Sequence, residues 1–386
     1  MPTSLSMLQL LWRHGRDHLN QLWQLILLWG VVYLYSFYKD GVNANVFTKF
    51  KDITSYMRFR KFGNTDLVVS EIGFGAWAIG GNAMIGKTPI GWGKADDADS
   101  VAAIFKAMDC GINFFDTADF YGLGHSEILL GKQLGNNKDI IIATKVGHRN
   151  IEETIQLDYS KQHILAACDA SLKRLKRDTI DYYQLHSARM QHFEKELCVE
   201  AMEILKKQGK IRYWGLSLNT FYPGPEATFM MKHGLGDGFQ LVYNIINQRA
   251  FGLMKIAEEN NYGIIARMPL QFGLLTGKFS LDKNFTPDDH RSFRFNKEIL
   301  NGSLSLLEDK IWPLCNKYNI SKTSLALSYI LSYQSVSTVI PGIRTAQHAV
   351  DNSKDLVQLA PEDVLLIENT FTTGFADIVN LMEKQG

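Results

Sequence analysis

From Met57 onward the sequence alternates between short β-rich apolar runs and amphipathic helical patterns, and this alternation repeats eight times. The predicted strands span residues 68–75, 112–116, 139–145, 179–186, 211–217, 239–243, 263–268 and 338–341. The predicted helices span residues 97–110, 126–134, 161–175, 194–208, 224–232, 250–260, 303–318, 321–332 and 346–356. Strands that alternate with helices form right-handed crossover units and a parallel sheet. Eight such units indicate a closed (β/α)8 barrel, a TIM barrel, more than an open sheet.

Residues 1–56 have a different composition from the rest of the chain. Residues 22–38 are nearly all apolar or aromatic, and no fully charged side chain occurs between Asp17 and Lys39. The length of the segment 22–38 is at the lower edge of what spans a bilayer. The excess of Lys and Arg after this segment predicts that the downstream domain lies in the cytoplasm. We therefore predict an N-terminal hydrophobic extension, residues 1–56, which contacts a membrane through residues 22–38 and precedes a barrel domain, residues 57–386.

Two other interpretations of the extension stay open. Met57 begins a stretch that reads like the natural start of a globular domain, so residues 1–56 are also consistent with an overlong start. The apolar segment is also consistent with a helix packed in a soluble protein. Each interpretation leaves the barrel prediction unchanged, because the alternation begins after Met57.

Charge and cysteine content exclude several classes of function. The 41 Lys and Arg residues nearly balance the 40 Asp and Glu residues, whereas a nucleic-acid-binding protein shows a basic excess. The four cysteines are far apart and form no CxxC pair or Cys/His cluster. We therefore expect no structural metal and no disulfide framework, in keeping with a reducing compartment.

Four polar residues stand at or just after the ends of the second, third and fourth predicted strands. They are Asp116, Tyr121, Lys145 and His186. The carboxyl ends of barrel strands meet at one mouth, so these side chains are predicted to converge there. A lysine ammonium stabilises a neighbouring phenolate, an aspartate keeps that ammonium charged, and a neutral histidine orients a carbonyl oxygen. The set predicts a proton donor for a carbonyl that is reduced by hydride transfer from a cofactor.

Seven stretches of the chain resemble motifs of the aldo-keto reductases, which are NADP(H)-dependent (β/α)8 oxidoreductases. They are FGNTDLVVSEIGFG (62–75), DTADFYG (116–122), ATK (143–145), DYYQLH (181–186), GLSLN (215–219), PLQFGLLTGKF (269–279) and IPGIR (340–344). The resemblance runs in the family's order from residue 58 to about residue 356. It implies that Asp116, Tyr121, Lys145 and His186 form the catalytic tetrad, with Tyr121 as the general acid.

The same resemblance implies an NADP(H) site. Ser217 and Gln240, and Asn219 beyond them, would bind the nicotinamide carboxamide, and Arg267 would stack on the nicotinamide where many relatives have Tyr. The phosphates and the adenosine would be bound by Pro269, Leu270, Gly273, Leu274, Gly277, Lys278, Gly342, Arg344 and Asn352. Arg344 would pair with the 2′-phosphate and carry most of the preference for NADP over NAD.

Three aromatic residues are predicted either to wall the substrate pocket or only to pack locally: Trp77, Trp92 and His125. The expected substrate is a small aldehyde, ketone or sugar-like carbonyl that is reduced to an alcohol. A second interpretation is a cofactor-binding regulatory or scaffold subunit of a membrane-associated partner, as some barrels of this family are. A third, a barrel aldolase or isomerase, would use Lys145 for a Schiff base but leaves Tyr121 and Arg344 without a role. The complete tetrad favours the reductase.

Overall fold

The strands and helices below belong to residues 57–91, 93, 95–194, 197–286, 289 and 291–385, which are the residues that the computed structural model describes. The strands are β1 (Phe59–Lys61), β2 (Val68–Ser70), β3 (Phe74–Gly75), β4 (Met84–Ile85), β5 (Thr88–Pro89), β6 (Phe114–Asp116), β7 (Ile141–Val146), β8 (His148–Ile151), β9 (Thr154–Leu157), β10 (Ile180–His186), β11 (Ile211–Ser217), β12 (Gly238–Val242), β13 (Gly263–Arg267) and β14 (Thr338–Ile340). Eight of them lie side by side in the order β14, β13, β12, β11, β10, β7, β6, β3, and every pair is parallel. Isolated parallel bridges from Ile72 to Val339 and from Gly75 to Gly342 join the first of these strands to the last. The predicted (β/α)8 barrel is confirmed.

The helices follow the strands and bury their apolar faces. They are α1 (Asp97–Asp109), α2 (His125–Leu134), α3 (Lys161–Leu175), α4 (Met190–Phe193), α5 (Leu197–Lys207), α6 (Gly224–Lys232), α7 (Phe251–Glu259), α8 (Lys297–Leu306), α9 (Pro313–Tyr318), α10 (Lys322–Leu331), α11 (Ala346–Ser353), α12 (Pro361–Thr370) and α13 (Ala376–Gln385). Side-chain oxygens of Asp96 and Ser160 cap α1 and α3 by accepting from backbone N–H groups of the first turn. The last two helices, α12 and α13, lie beyond the predicted alternation.

An antiparallel hairpin closes the end of the barrel at which the strands begin. β1 pairs with β2, and Phe62, which follows β1, is fully buried with its ring centroid 4.9 Å from that of Tyr182. The Phe62 ring lies against the first residues of β12 and β13, which are Gly238 and Gly263. A Cβ atom built on Gly263 would lie 2.6 Å from ring atoms of Phe62. Glycine is therefore required there by the close approach of the ring.

The first predicted strand, residues 68–75, is divided in the structure. Residues 68–70 form β2 and pair antiparallel with β1, so only Phe74–Gly75 joins the barrel sheet. The prediction of one continuous strand was wrong because an apolar run does not reveal which neighbour takes its backbone hydrogen bonds.

Two short hairpins that the sequence analysis missed follow the barrel strands at the mouth. β4 pairs with β5 after the first barrel strand, and β8 pairs with β9 after β7. The β4 and β5 strands are two residues each, and all four residues of β9 are exposed, so neither hairpin carries a strong apolar pattern. Both hairpins contribute residues to the cavity described below.

Within the described part of the chain, no helix has the length and apolar character needed to cross a bilayer. The segment that carried the membrane prediction, residues 22–38, lies outside the described residues. Its contact with a membrane stays a prediction.

We expect Gly263→Ala to lower the free energy of unfolding by about 1–3 kcal/mol, because the new methyl group overlaps the buried Phe62 ring. Gly252→Ala is the matched control, since Gly252 lies in α7 and no atom outside its own stretch of helix backbone lies within 4 Å of its Cβ position. Alanine favours a helix over glycine, so this variant should be as stable as the parent protein or slightly more stable. Urea unfolding followed by circular dichroism measures both, and equal midpoints for the two variants would contradict the close packing.

Candidate active site

Lys145 lies at the centre of a polar cluster at the carboxyl ends of the strands. It is fully buried in β7, and its Nζ donates hydrogen bonds to Asp116 Oδ2 (2.6 Å), the backbone oxygen of Thr117 (2.8 Å) and Tyr121 Oη (3.1 Å). Burial acts to lower the pKa of Lys145, but the charges and hydrogen bonds of Asp116 and Tyr121 outweigh it and raise that pKa. The lysine is therefore a buried cation at neutral pH, and each of its three protons has an acceptor.

Asp116 is the counter-ion of Lys145, and both of its carboxylate oxygens are used. Oδ2 accepts from Lys145, while Oδ1 accepts from the side-chain nitrogens of Gln184 (3.1 Å) and Gln240 (2.7 Å). These three donors come from β7, β10 and β12. The carboxylate thus links strands from both sides of the barrel mouth.

Tyr121 begins a tight turn, Tyr121–Gly124, that follows β6. Gly122 in this turn has φ 62°, and a Cβ atom there would lie 2.0 Å from the backbone oxygen of Gly80, so the turn requires glycine. The Tyr121 ring stacks on Trp77 with centroids 6.2 Å apart and meets the edge of His186 at 5.9 Å. These contacts hold the hydroxyl beside the Lys145 ammonium.

His186 ends β10 and faces Tyr121. Burial is the main cause that lowers the pKa of His186 well below its ordinary value. The electrostatic effects of its neighbours His148, Lys145 and Arg267 lower that pKa further. The ring is therefore neutral at pH 7 and carries one N–H donor. Asp116, Tyr121, Lys145 and His186 thus lie together, as the positions of the strand ends predicted.

A cavity of about 940 Å³ opens above this cluster and extends to the far side of the barrel mouth. Many of the predicted site residues line it: Trp77, Asp116, Tyr121, His186, Asn219, Gln240, Arg267, Pro269, Leu270, Gly273, Lys278, Gly342, Arg344 and Asn352. The structure therefore brings the predicted chemical end and the predicted cofactor end into one continuous space. Such a space suits a long ligand with a small molecule at one end.

Three predicted cofactor residues do not line the cavity. Ser217 is buried at the end of β11, beside Gln240 in the sheet, and Leu274 is buried in the core. Gly277 has φ 74° and would place a Cβ atom 2.3 Å from the Lys322 side chain. The structure therefore gives these three residues no place in the cavity lining.

Of the two candidate pocket-wall residues that the structure describes, Trp77 lines the cavity and His125 does not. His125 begins α2 and its Nε2 donates to Asp97 Oδ1 at 2.8 Å, away from the cavity lining. Trp92 lies outside the described residues. Among the described residues, Trp77 stacks on Tyr121 at the cavity, and its indole N–H donates to the backbone oxygen of Ile90.

The far end of the cavity is basic and fits a phosphate-bearing ligand. Lys278 and Arg344 line it, and their charges add to burial in lowering the pKa of His348. The side-chain nitrogen of Asn352 is buried there with no hydrogen-bond partner among the described residues. A buried amide donor without an acceptor is costly, and an oxygen of a bound ligand can supply the acceptor. The donors at this end therefore fit the adenosine phosphates of a nicotinamide dinucleotide.

Arg267 ends β13 and lines the cavity. Its Nη2 donates to the backbone oxygen of Leu218 (3.1 Å) and to Thr220 Oγ1 (3.2 Å), and burial lowers its pKa. A guanidinium held in this way presents a flat face, which fits stacking on a nicotinamide ring. Asn219 lies nearby, and its Oδ1 accepts from two backbone N–H groups of the loop that follows β11 (both 2.8 Å).

Sequence reasoning missed several cavity and support residues. Gln184 lies two residues before His186, and the alternation of a strand already places both on one face. His148 follows the third predicted strand closely but belongs to none of the seven stretches that resemble family motifs. Phe272 and Arg294 come from the loop after β13, where the guanidinium lies 4.9 Å from the ring centroid. No periodic pattern predicts the path of that loop.

Three relatives illustrate what the chain is similar to. The uncharacterized oxidoreductase YqkF of Bacillus subtilis is 31% identical, with 77% of this chain and 90% of the relative aligned. The aldo-keto reductase yakc [NADP(+)] of Schizosaccharomyces pombe is 33% identical, with 76% and 85% aligned. The NADH-specific methylglyoxal reductase of Escherichia coli is 28% identical, with 79% and 95% aligned.

A solved structure and a family profile agree with these relatives. The holo form of aldo-keto reductase AKR11C1 from Bacillus halodurans superimposes with a TM-score of 0.68 at 28% identity, covering 81% of this chain and 96% of that one. The profile of the Aldo/keto reductase family matches residues 71–370, which contain the tetrad and both ends of the cavity. With its barrel, its lysine-centred cluster and this match over most of its length, the chain belongs to the aldo/keto reductase family of oxidoreductases.

Proposed function

We propose that the protein uses NADPH to reduce an aldehyde, a ketone or a sugar-like carbonyl compound to the corresponding alcohol. The observation that carries the proposal is the Tyr121 hydroxyl, which lines the cavity and lies 3.1 Å from the buried ammonium of Lys145. Methylglyoxal, the substrate in the name of the Escherichia coli relative, is a small carbonyl compound and supports this substrate class.

Tyr121 is the proton donor in this proposal. When Oη releases its proton to the carbonyl oxygen, negative charge develops on the phenolate beside the Lys145 Nζ, and that attraction lowers the barrier. Lys145 is fully buried and does not line the cavity, so it acts on the reaction through Tyr121. Asp116 keeps the ammonium charged and fixed in position.

His186 orients the carbonyl group. It is neutral at pH 7 because burial and the neighbouring positive charges hold its pKa low, and a neutral ring can donate one hydrogen bond to the carbonyl oxygen without protonating it. A bound nicotinamide cofactor supplies the hydride to the carbonyl carbon. The rings of Tyr121 and His186 meet edge to face, so both side chains can donate a hydrogen bond to the same oxygen.

The choice of NADPH rests on the basic end of the cavity. Among the relatives, one carries NADP(+) in its name and another is called NADH-specific, so family membership alone leaves the choice open. Arg344 and Lys278 add two positive charges where the adenosine would lie. A 2′-phosphate gains charge-assisted hydrogen bonds from such groups, whereas a 2′-hydroxyl gains less.

Tyr121→Phe should reduce kcat by about 10²–10⁴-fold, because a positioned general acid is lost, while NADPH binding stays near normal. Tyr213→Phe is the matched control, since its hydroxyl bonds Asp66 near the start of β11 and the same oxygen atom is removed. Stopped-flow or steady-state NADPH oxidation with a panel of carbonyl compounds gives kcat, and quenching of cofactor fluorescence gives Kd on the same preparations.

Full turnover by Tyr121→Phe with intact NADPH binding would make Tyr121 a structural residue. If the parent protein binds NADPH tightly but does not oxidise it with any carbonyl compound of the panel, the cofactor-binding regulatory subunit becomes the better hypothesis. A protein that binds neither cofactor contradicts both.

Arg344→Ala should weaken NADPH binding by about one to two orders of magnitude, because one charge-assisted contact to the 2′-phosphate is lost at about 1.5–3 kcal/mol. The affinity for NADH is the internal control and should change little, because NADH lacks that phosphate. Fluorescence titration of both cofactors measures the ratio. An unchanged NADPH/NADH ratio contradicts the role assigned to Arg344.

A further inference from the structure

Four aromatic side chains at the cavity form a series of neighbouring rings. Ring centroids are 5.3 Å apart from Phe120 to His148, 4.3 Å from His148 to His186 and 5.9 Å from His186 to Tyr121. All four side chains line the cavity. His148 is thus a second histidine at the cavity, in ring contact with His186, and the proposed mechanism gives it no task.

The neighbourhood of the two histidines is built into the fold. His148 is the first residue of β8 and follows β7 after Gly147, whose φ is 136°. A Cβ atom on Gly147 would lie 2.2 Å from the ring of Tyr159, and the Tyr159 hydroxyl donates to the backbone oxygen of His186. Tyr159 therefore joins the start of the hairpin to the end of β10, which keeps the two rings side by side.

Both histidines are neutral donors at pH 7. Burial, together with the charge of Lys145, lowers the pKa of His148 to about 4, and burial lowers that of His186 as well. The Nδ1 atoms of both rings are buried with no hydrogen-bond partner among the described residues. A proton on Nδ1 would leave a buried N–H group without an acceptor, so the proton belongs on Nε2. Since Nδ1 is buried, the edge that lines the cavity is the one that carries Nε2.

We propose that His148 is a specificity residue whose Nε2–H binds an oxygen on the carbon next to the carbonyl, so that the preferred substrates are α-hydroxy or α-oxo carbonyl compounds. This inference rests on the proposed function, in which Tyr121 and His186 address the carbonyl oxygen. The next donor along the wall is His148, and an oxygen on the neighbouring carbon is the substrate atom next in line. A substrate with a methyl group at that position leaves the donor unpaired once the cavity is filled.

The experiment compares glycolaldehyde with propanal, which differ by a hydroxyl in place of a methyl group. The ratio of their kcat/KM values is measured for the parent protein, His148→Phe and His148→Gln. Hydration of the aldehydes in water affects every variant equally, so it cancels when ratios are compared. His233→Phe is the matched control, because His233 also packs on an aromatic ring at 4.3 Å, that of Phe229, but does not line the cavity.

His148→Phe should lower the preference for glycolaldehyde about tenfold by lowering kcat/KM for glycolaldehyde alone. One hydrogen bond is lost, while the phenyl ring keeps the contacts with the neighbouring aromatic rings. His148→Gln retains an N–H donor and should restore part of the preference, while His233→Phe should match the parent protein. An equal loss for both aldehydes in His148→Phe would show that His148 only packs against His186, and it would overturn the proposal. Values of kcat/KM equal to those of the parent protein for both aldehydes would overturn it as well.

A second readout separates this inference from the proposed function. Ligand-observed NMR compares binding of propane-1,2-diol and propan-1-ol to the NADP+-loaded protein, which requires no turnover. The parent protein should favour the diol, and His148→Phe should lose that preference. If no carbonyl compound is reduced, the proposed function fails, and the diol comparison still decides whether His148 binds a second oxygen.

Discussion

The buried ion pair between Lys145 and Asp116 is the interaction on which the rest of the barrel mouth depends. Removing two charges from water costs several kcal/mol per ion, and their attraction repays this only where the remaining polar atoms also find partners. Tyr121 and a backbone oxygen complete the bonds of the ammonium, and Gln184 and Gln240 complete those of the carboxylate. Strands β6, β7, β10 and β12 must keep their relative register for this set to form.

That register explains why the tetrad could be predicted from the sequence. Asp116 pairs with Ala143 in the sheet, and Lys145 lies two residues further along β7 on the same face. Gln184 is opposite Lys145, and His186 follows two residues later. A polar residue at the end of an apolar strand can be read from local sequence, and parallel pairing then brings such residues together without any knowledge of the loops.

Residues outside the strands were harder to predict because tertiary contacts decide where they lie. His125 was a candidate either for the pocket wall or for local packing; it bonds Asp97 at the start of α1, and nothing in its local sequence reveals that partner. Phe272 reaches the cavity from a turn in which its φ is 55°, a left-handed conformation that helical or strand periodicity does not predict. The alternation therefore predicts the fold and the chemical end, while the substrate end depends on loop paths.

The tetrad and the rest of the cavity wall are held by different parts of the fold. The tetrad is carried by strands or by a turn that directly follows one, whereas much of the remaining wall comes from hairpins and loops, where side chains can change without disturbing the buried ion pair. A hydrogen bond that selects a substrate still needs precise placement, which rigid elements provide better than loops do. His148 satisfies both requirements, because it lies three residues after Lys145 and beside β10, yet belongs to a hairpin outside the barrel sheet. In the mechanism we propose, a single substitution at this position would therefore alter which carbonyl compounds fit, while the Tyr121 hydroxyl keeps its geometry.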